Sequence, residues 1–306
     1  MASASYDGTI RMWDANRMKL VCVNDTTKNT PQSKAVKKII YGVSWHPHST
    51  KLAAVTVNGN CLIYDALKGK LLSHCTPRED TPSFRVDWNK LEPKSLVMSS
   101  KAELVYYLEV EDPNVCKDLK IVKAYKHPSA VFGVQWDPFN RNHFISGCND
   151  WNVRLFDVTS NSENPIKTFQ GHSDRVYNVL YSPELEGICV SGSDDLSIRV
   201  WDVSSDQYSA INVLGEQSST DGHTNNVRAL AFVPEISWCL LSGAWDSTIK
   251  MWDIRSGRCM TTIKDHNSDV YAICFNPSRP FTFASCSRDT TIRLFSIDGM
   301  ISSLKM

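Results

Sequence analysis

The chain has 306 residues, with 33 Lys plus Arg against 33 Asp plus Glu and 42% hydrophobic residues. Zero net charge leaves no overall field to draw it onto nucleic acid or an anionic membrane, so recognition has to come from local surface. A globule of this mass keeps roughly 13,000 Å² of surface from about 50,000 Å² in the extended chain, so a large core is available without covalent staples.

From the N-terminus, ASASYDGTIRMWD (2–14) reads as two short extended runs around an Asp-containing turn. Apolar and polar residues alternate on both sides of the turn, as paired antiparallel strands require. KNTPQSKAVKK (28–38) is a basic run with Pro, better read as a solvated connection than as a contact for phosphate or an acidic partner. YGVSWHP (41–47) is an apolar run that Pro47 closes, since proline cannot continue a sheet ladder. His46 and His48 flank that proline, a placement that suits loop histidines better than metal ligands. AAVTVNGNCLIYD, ending at Tyr64 and Asp65, repeats the opening layout weakly, and LVMSSKAELVYYLEV, ending near Tyr107, repeats it more weakly still.

Four closer copies follow: ISGCNDWNVRLFD, VSGSDDLSIRVWD, LSGAWDSTIKMWD and ASCSRDTTIRLFS. In each, Asp stands four positions after a Ser and an aromatic six positions later. Ser3, Asp7, Trp13; Ser146, Asp150, Phe156; Ser191, Asp195, Trp201; Ser242, Asp246, Trp252; and Ser285, Asp289, Phe295 are therefore equivalent. Successive aromatic ends lie 43 to 51 residues apart, near the period of about 40–45 of four-stranded propeller blades.

Upstream of six copies lies an apolar run ending in an aromatic, at Trp45, Trp88, Trp136, Tyr181, Phe232 and Phe275. Pro follows two residues later in all but the second. One further extended run after each copy, such as PIKTFQGH or CMTTIKDH, makes four strands per unit. The unit boundaries fall at about 1–25, 36–78, 82–127, 129–172, 174–222, 225–266 and 268–306, all within one propeller domain. GEQSSTDG (215–222) reads as a loop insertion.

The ten cysteines are scattered singly with no Cys-x-x-Cys pair, which fits neither a zinc site nor a disulfide framework. Several, including Cys189 and Cys274, sit in apolar runs as small hydrophobes, and a reducing cytosolic or nuclear compartment is expected. The opening residues carry Asp and Arg where a signal peptide needs an apolar stretch, and eighteen apolar residues nowhere run together. No phosphate loop, dinucleotide fingerprint or zincin motif occurs, so no cofactor and no metal is expected.

These segments resemble WD repeats over almost the whole chain. The resemblance implies an all-β fold, a seven-bladed WD-repeat propeller of four-stranded antiparallel blades. Only six inner-strand candidates are present, so the first blade is expected to lack its inner strand, with MISSLKM (300–306) serving as the last blade's outer strand. That arrangement reads as a fragment of a longer protein.

The resemblance also implies that a loop His, a second-strand Ser, the turn Asp and a third-strand Trp form a hydrogen-bonded brace. Two blades match it fully: His172, Ser191, Asp195, Trp201 and His223, Ser242, Asp246, Trp252. His127 and His266 belong to blades ending in Phe156 and Phe295, whose rings donate nothing, so these chains are shorter and the blades looser. A Ser-His-Asp hydrolase triad is the competing interpretation. An active site occurs once, however, whereas this set recurs, and no Gly-x-Ser-x-Gly frames any of the serines.

Family geometry places the residue four before each inner-strand aromatic near the mouth of the central channel: Tyr41, Phe84, Phe132, Tyr177, Arg228 and Tyr271. The residue before each turn Asp joins the same face, adding Tyr6, Asn149, Asp194, Trp245 and Arg288. Exposed aromatics with a few charges suit a protein or peptide interface, while rings filling the gap between blades are the plainer account. The expected function is a non-enzymatic, monomeric scaffold that docks protein or peptide partners on this face, with no membrane contact. A histone-tail or nucleic-acid reader is the alternative, and a propeller enzyme with a channel site a more distant one.

Overall fold

Alternation around seven Asp or polar turns produces seven antiparallel sheets. In the computed structural model, residues 1–14, 17, 19–25, 39–112, 116–215 and 221–299 are described. The first sheet holds β1 (Ala2–Ala4), β2 (Thr9–Asp14) and β3 (Lys19–Asp25). The second runs β4 (Ile40–Trp45), β5 (Lys51–Thr56), β6 (Cys61–Asp65), β7 (Lys70–Cys75). The third runs β8 (Ser83–Trp88), β9 (Ser95–Ser100), β10 (Leu104–Asp112), β11 (Lys117–Lys126). The fourth is β12 (Val131–Trp136), β13 (His143–Cys148), β14 (Val153–Asp157), β15 (Lys167–Phe169). The fifth is β16 (Val176–Tyr181), β17 (Ile188–Ser193), β18 (Ile198–Asp202), β19 (Asn212–Leu214). The sixth is β20 (Val227–Phe232), β21 (Cys239–Ala244), β22 (Ile249–Asp253), β23 (Cys259–Ile263). The seventh holds β24 (Val270–Asn276), β25 (Arg279–Ser287) and β26 (Ile292–Ser296).

These sheets are the seven blades of a β-propeller, and the first has three strands. The chain clusters into two compact units, Met1–Cys148 with Leu155–Ile166, and Asn149–Arg154 with Lys167–Met306. The basic run 28–38, most of the 215–222 insertion and the expected closing strand 300–306 lie outside the described residues.

The core of each unit sits between successive blades, where facing sheets bury their apolar side chains against each other. In the first unit Ile10 and Met12 pack with Leu52, Leu62 and Tyr64, and Ile63 and Val55 pack with Trp88, Met98 and Leu108. In the second unit Val190 and Val200 meet Phe232 and Trp252, and Leu241 and Met251 meet Val270 and Phe283. Blades approach closely: a Cβ on Gly243 would stand 2.6 Å from Val270 Cγ1, a contact that excludes any larger side chain.

The residue after each turn Asp, or its counterpart, has a left-handed backbone in all seven blades: Gly8, Gly59, Glu103, Trp151, Leu196, Ser247 and Thr290, with φ between 63° and 81°. Glycine adopts this conformation freely, whereas a β-branched or bulky side chain there carries a steric cost.

The register corrects one sequence expectation. Trp201 stands opposite Cys189, and Tyr64 holds the same place opposite Leu52. In the third blade Leu108 occupies it, opposite Leu96, with Tyr107 one residue earlier. Two adjacent tyrosines at 106 and 107 obscure this in the sequence.

A further link joins consecutive blades at their outer strands. Asn24 Nδ2 donates to the Ala66 carbonyl at 3.4 Å, and the Leu119 N–H donates to Ser73 Oγ at 3.0 Å. Lys123 Nζ donates to the carbonyls of Ser160 and Ser162 at 2.6 and 2.8 Å. Lys167 Nζ does so to Val203 and Ser205 at 3.0 and 2.7 Å, and Asn212 Nδ2 to Ile254 and Arg255 at 2.9 and 3.1 Å. Mostly, an outer-strand side chain satisfies carbonyls of the turn after the next blade's third strand.

All ten cysteines are free thiols. No helix among the described residues is long and apolar enough to cross a membrane.

Candidate functional site

The Ser-His-Asp sets lie between strands. In the fifth blade, Trp201 Nε1 donates to Ser191 Oγ at 2.8 Å, and His172 Nε2 lies 2.7 Å from the same oxygen. His172 Nδ1 lies 2.7 Å from Asp195 Oδ2, which also accepts the Ser173 N–H at 3.1 Å. Asp195 Oδ1 accepts the Ser197 N–H and hydroxyl at 3.0 and 2.7 Å. The sixth blade repeats the chain: Trp252 to Ser242 at 2.7 Å, His223 to Ser242 at 2.7 Å, and His223 to Asp246 at 2.8 Å.

Burial pushes the His172 and His223 imidazoles down, against the pull of their aspartates. For the Asp195 and Asp246 carboxyls, burial alone would raise the value. Hydrogen bonds from the paired His and from Ser197 or Thr248 outweigh it and hold both well below the usual carboxylate range. The arrangement is therefore a neutral imidazole donating to an ionised carboxylate, with the serine hydroxyl donating to Nε2 and accepting from the indole. Both serines are fully buried, so a substrate has no route to the hydroxyl.

The remaining blades use parts of this set. In the seventh, His266 bridges Ser285 at 2.6 Å and Asp289 at 2.8 Å, and Phe295 stands where the tryptophan would be. The fourth keeps His127 to Ser146 at 2.8 Å, with the Phe156 ring 5.1 Å from the imidazole. There Asp150 is gripped by Arg154. The first keeps Trp13 to Ser3 at 2.8 Å. Among the described residues no group of three or more His, Cys, Asp or Glu side chains is gathered as a metal site. His46 is buried and packs edge-on to Trp88 at 4.7 Å. Burial and the nearby Lys51 and His48 charges push its imidazole down to about 4.

At the edge where inner strands begin, the two units carry different chemistry. In the first unit Tyr6, Tyr41, Phe84 and Phe132 form an unbroken row, with neighbouring ring centroids 5.8, 5.4 and 4.8 Å apart. Tyr6 is 57% exposed, and the other three are half-buried. Each ring both touches a ring of an adjacent blade and shows part of its surface to solvent.

In the second unit Arg228, which the sequence places among exposed residues, is only 3% exposed. Its guanidinium lies 4.0 Å from the Tyr177 ring and 4.2 Å from the Trp245 ring. It also pairs with buried Asp194, which Arg175 approaches at 2.9 Å. Two aromatic faces and a carboxylate replace its water, which is what lets the charge sit inside. Trp245 meets Tyr271 edge-on at 6.2 Å. Arg288 projects to solvent, 3.5 Å from Asp269.

Sequence reasoning passed over two residues. Trp151, immediately after the turn Asp, is 51% exposed on a left-handed backbone. Its signal was an aromatic at a position where no other blade carries one. Asp87, one place before an inner-strand aromatic, accepts the Trp136 N–H at 2.9 Å and the Ser44 hydroxyl at 3.3 Å. It thereby joins the inner strands of three consecutive blades. An acid in the otherwise uncharged stretch VDW was the available sign. Burial pushes its carboxyl up to about 6.

Comparison with known proteins agrees with this architecture. The first 91 residues match the anaphase-promoting complex subunit 4 WD40 domain. Over 290 residues the chain is 28% identical to F-box-like/WD repeat-containing protein TBL1X of Mus musculus, covering 90% of this chain and 51% of the relative. It is 29% identical to F-box-like/WD repeat-containing protein TBL1Y of Homo sapiens, covering 90% and 52%. Actin-interacting protein 1 of Drosophila melanogaster is 26% identical over 176 residues, 57% of this chain and 26% of that protein. The chain thus spans about half the length of the first two relatives. The family model for the WD domain, G-beta repeat, matches residues 119–157, 163–202, 215–253 and 257–296. Those four matches cover the blades in which the His, Ser and Asp bonds were found, and together they take in just over half the sequence: the chain belongs to the WD-repeat family.

Proposed function

We propose that this chain is a non-enzymatic docking platform that holds a protein or peptide partner against the edge where its inner strands begin. The partly exposed row Tyr6, Tyr41, Phe84 and Phe132 carries this reading. Large rings fixed by neighbouring rings lose little freedom on binding, so their burial converts efficiently into affinity. The chemically versatile serines and histidines are already occupied in bracing strands, which argues for recognition over catalysis. WD-repeat propellers generally mediate protein interactions, and the matched relatives fit such a role. Ten free thiols favour an intracellular setting, cytosolic or nuclear.

The histone-tail alternative draws no support from the second unit, because Arg228 already fills the gap between Tyr177 and Trp245 that a methylated ammonium would need. The C-terminal half, especially DHNSDVYAICFNPSRPFTFASCSRDTTIRLFS (265–296), resembles WD repeat-containing protein seventeen.

The test is cross-linking with mass spectrometry to identify a partner, followed by calorimetric titration of purified Tyr6→Ala, Trp151→Ala and a rim control, Leu67→Ala. Tyr6→Ala should weaken binding about tenfold or more at unchanged melting temperature, and Leu67→Ala should not. Equal affinities for all three and the parent chain would remove the inner-strand edge as the docking face.

A further inference from the structure

Resting on the docking role, we propose that the aromatic row of the first unit takes a proline-rich segment in polyproline II conformation. The row has four rings at three successive spacings of 5.8, 5.4 and 4.8 Å. Alternate rings therefore stand at most about 11 Å apart, close to the ~9.3 Å that a polyproline II helix advances over three residues. Prolines three positions apart on one side of such a helix would each lie over a junction between two rings.

The rings are tilted or edge-on to each other, with interplanar angles of 81°, 59° and 43°, and all four leave part of their surface exposed, which a flat, rigid pyrrolidine can cover. The rings contribute no charge, unlike the second unit's edge, where Arg175, Arg228 and Arg288 face Asp194 and Asp269. The nearest acid in sequence to the row, Asp7, is committed to Arg11 and Thr9. An uncharged ligand that arrives already extended fits these conditions, since a polyproline II segment brings little ordering cost.

The probe is a fluorescein-labelled, uncharged peptide of about twelve residues with proline at every third position and apolar residues between. It is titrated against the whole chain by fluorescence anisotropy, with a proline-to-alanine peptide as control. Saturable binding is expected for the first peptide and not the second, weakened about tenfold by Tyr41→Ala and by Phe84→Ala. Because these rings also pack between blades, Tyr41→Leu and Phe84→Leu are run in parallel with thermal unfolding. They should keep the melting temperature and still lose the peptide. Absence of saturable binding, equal binding of both peptides, or indifference to all four variants would overturn the proposal. If a cross-linked partner is weakened by Tyr6→Ala but is not displaced by the proline peptide, the docking role stands and the proline chemistry falls. If neither the peptide nor the partner responds to the row, both fall.

Discussion

Replacing Ser191 with alanine removes the hydroxyl at the centre of the fifth-blade chain, leaving two buried polar atoms without partners. Trp201 Nε1–H loses its acceptor and His172 Nε2 loses its donor. The space left by one oxygen is too small to admit water as a substitute. At about 1–3 kcal/mol for each orphaned buried group, some of it relieved by relaxation, the expected loss is about 2–4 kcal/mol. Ser285→Ala supplies an internal control. Its serine meets His266, but Phe295 brings no indole, so one group is orphaned instead of two. The expected loss there is smaller, about 1–2 kcal/mol. Urea unfolding followed by fluorescence and circular dichroism measures both, and amide hydrogen exchange over β17 and β25 localises the effect. Equal losses in the two variants, or none at Ser191, would refute the idea that the tryptophan and histidine depend on that hydroxyl.

Asp87→Asn should stabilise the protein by about 1–2 kcal/mol at pH 7.5, because the amide oxygen still accepts the Trp136 N–H and the amide nitrogen can donate to Ser44 Oγ in place of the bond it accepted, without a buried charge. Asp87's folded-state value lies above its unfolded one, so its favourable contribution is complete below about pH 4 and is lost as pH rises through about 6. Urea midpoints across that range should slope in the parent chain and flatten in the variant. Trp151→Asn should raise stability by about 1 kcal/mol, since asparagine tolerates φ of 72° and the exposed indole gives up little packing. A lower urea midpoint would show that the ring is held by contacts worth more than the strain. Asn212→Ala should cost about 0.5–1.5 kcal/mol and speed hydrogen exchange in the turn after Asp253, with β16 unaffected.

The turn and brace positions were legible because a chain of hydrogen bonds between adjacent strands demands fixed sequence offsets. Ser to Asp and Asp to Trp recur because the strands that hold them are joined by the same short turn. Inner strands were legible from their alternation and closing proline. Contacts between blades were not, since they join residues with no constant separation in residue type. Asp194 and Arg228 are 34 positions apart, and nothing local says that a carboxylate from one turn will draw the next blade's arginine inside. The outer-strand links escaped for a related reason. Serine, lysine and asparagine all satisfy a neighbouring main chain, so the shared task leaves no shared letter. Leu108 was hidden because a leucine in the tryptophan position gives no motif, and neighbouring Tyr107 imitated one.

The outer-strand links also have a direction. All but the Ser73–Leu119 link reach from a blade toward its successor and grip the stretch between that successor's third and fourth strands. Peptides grafted at Ser160, Val203 or Arg255 would therefore pry loose the preceding blade as well as their own. Grafts in the turns after β5 or β9 meet no such outer-strand link among the described residues. For anyone adding a tag, a fluorophore or a foreign epitope, the carbonyls held by Lys123, Lys167 and Asn212 mark the turns to avoid.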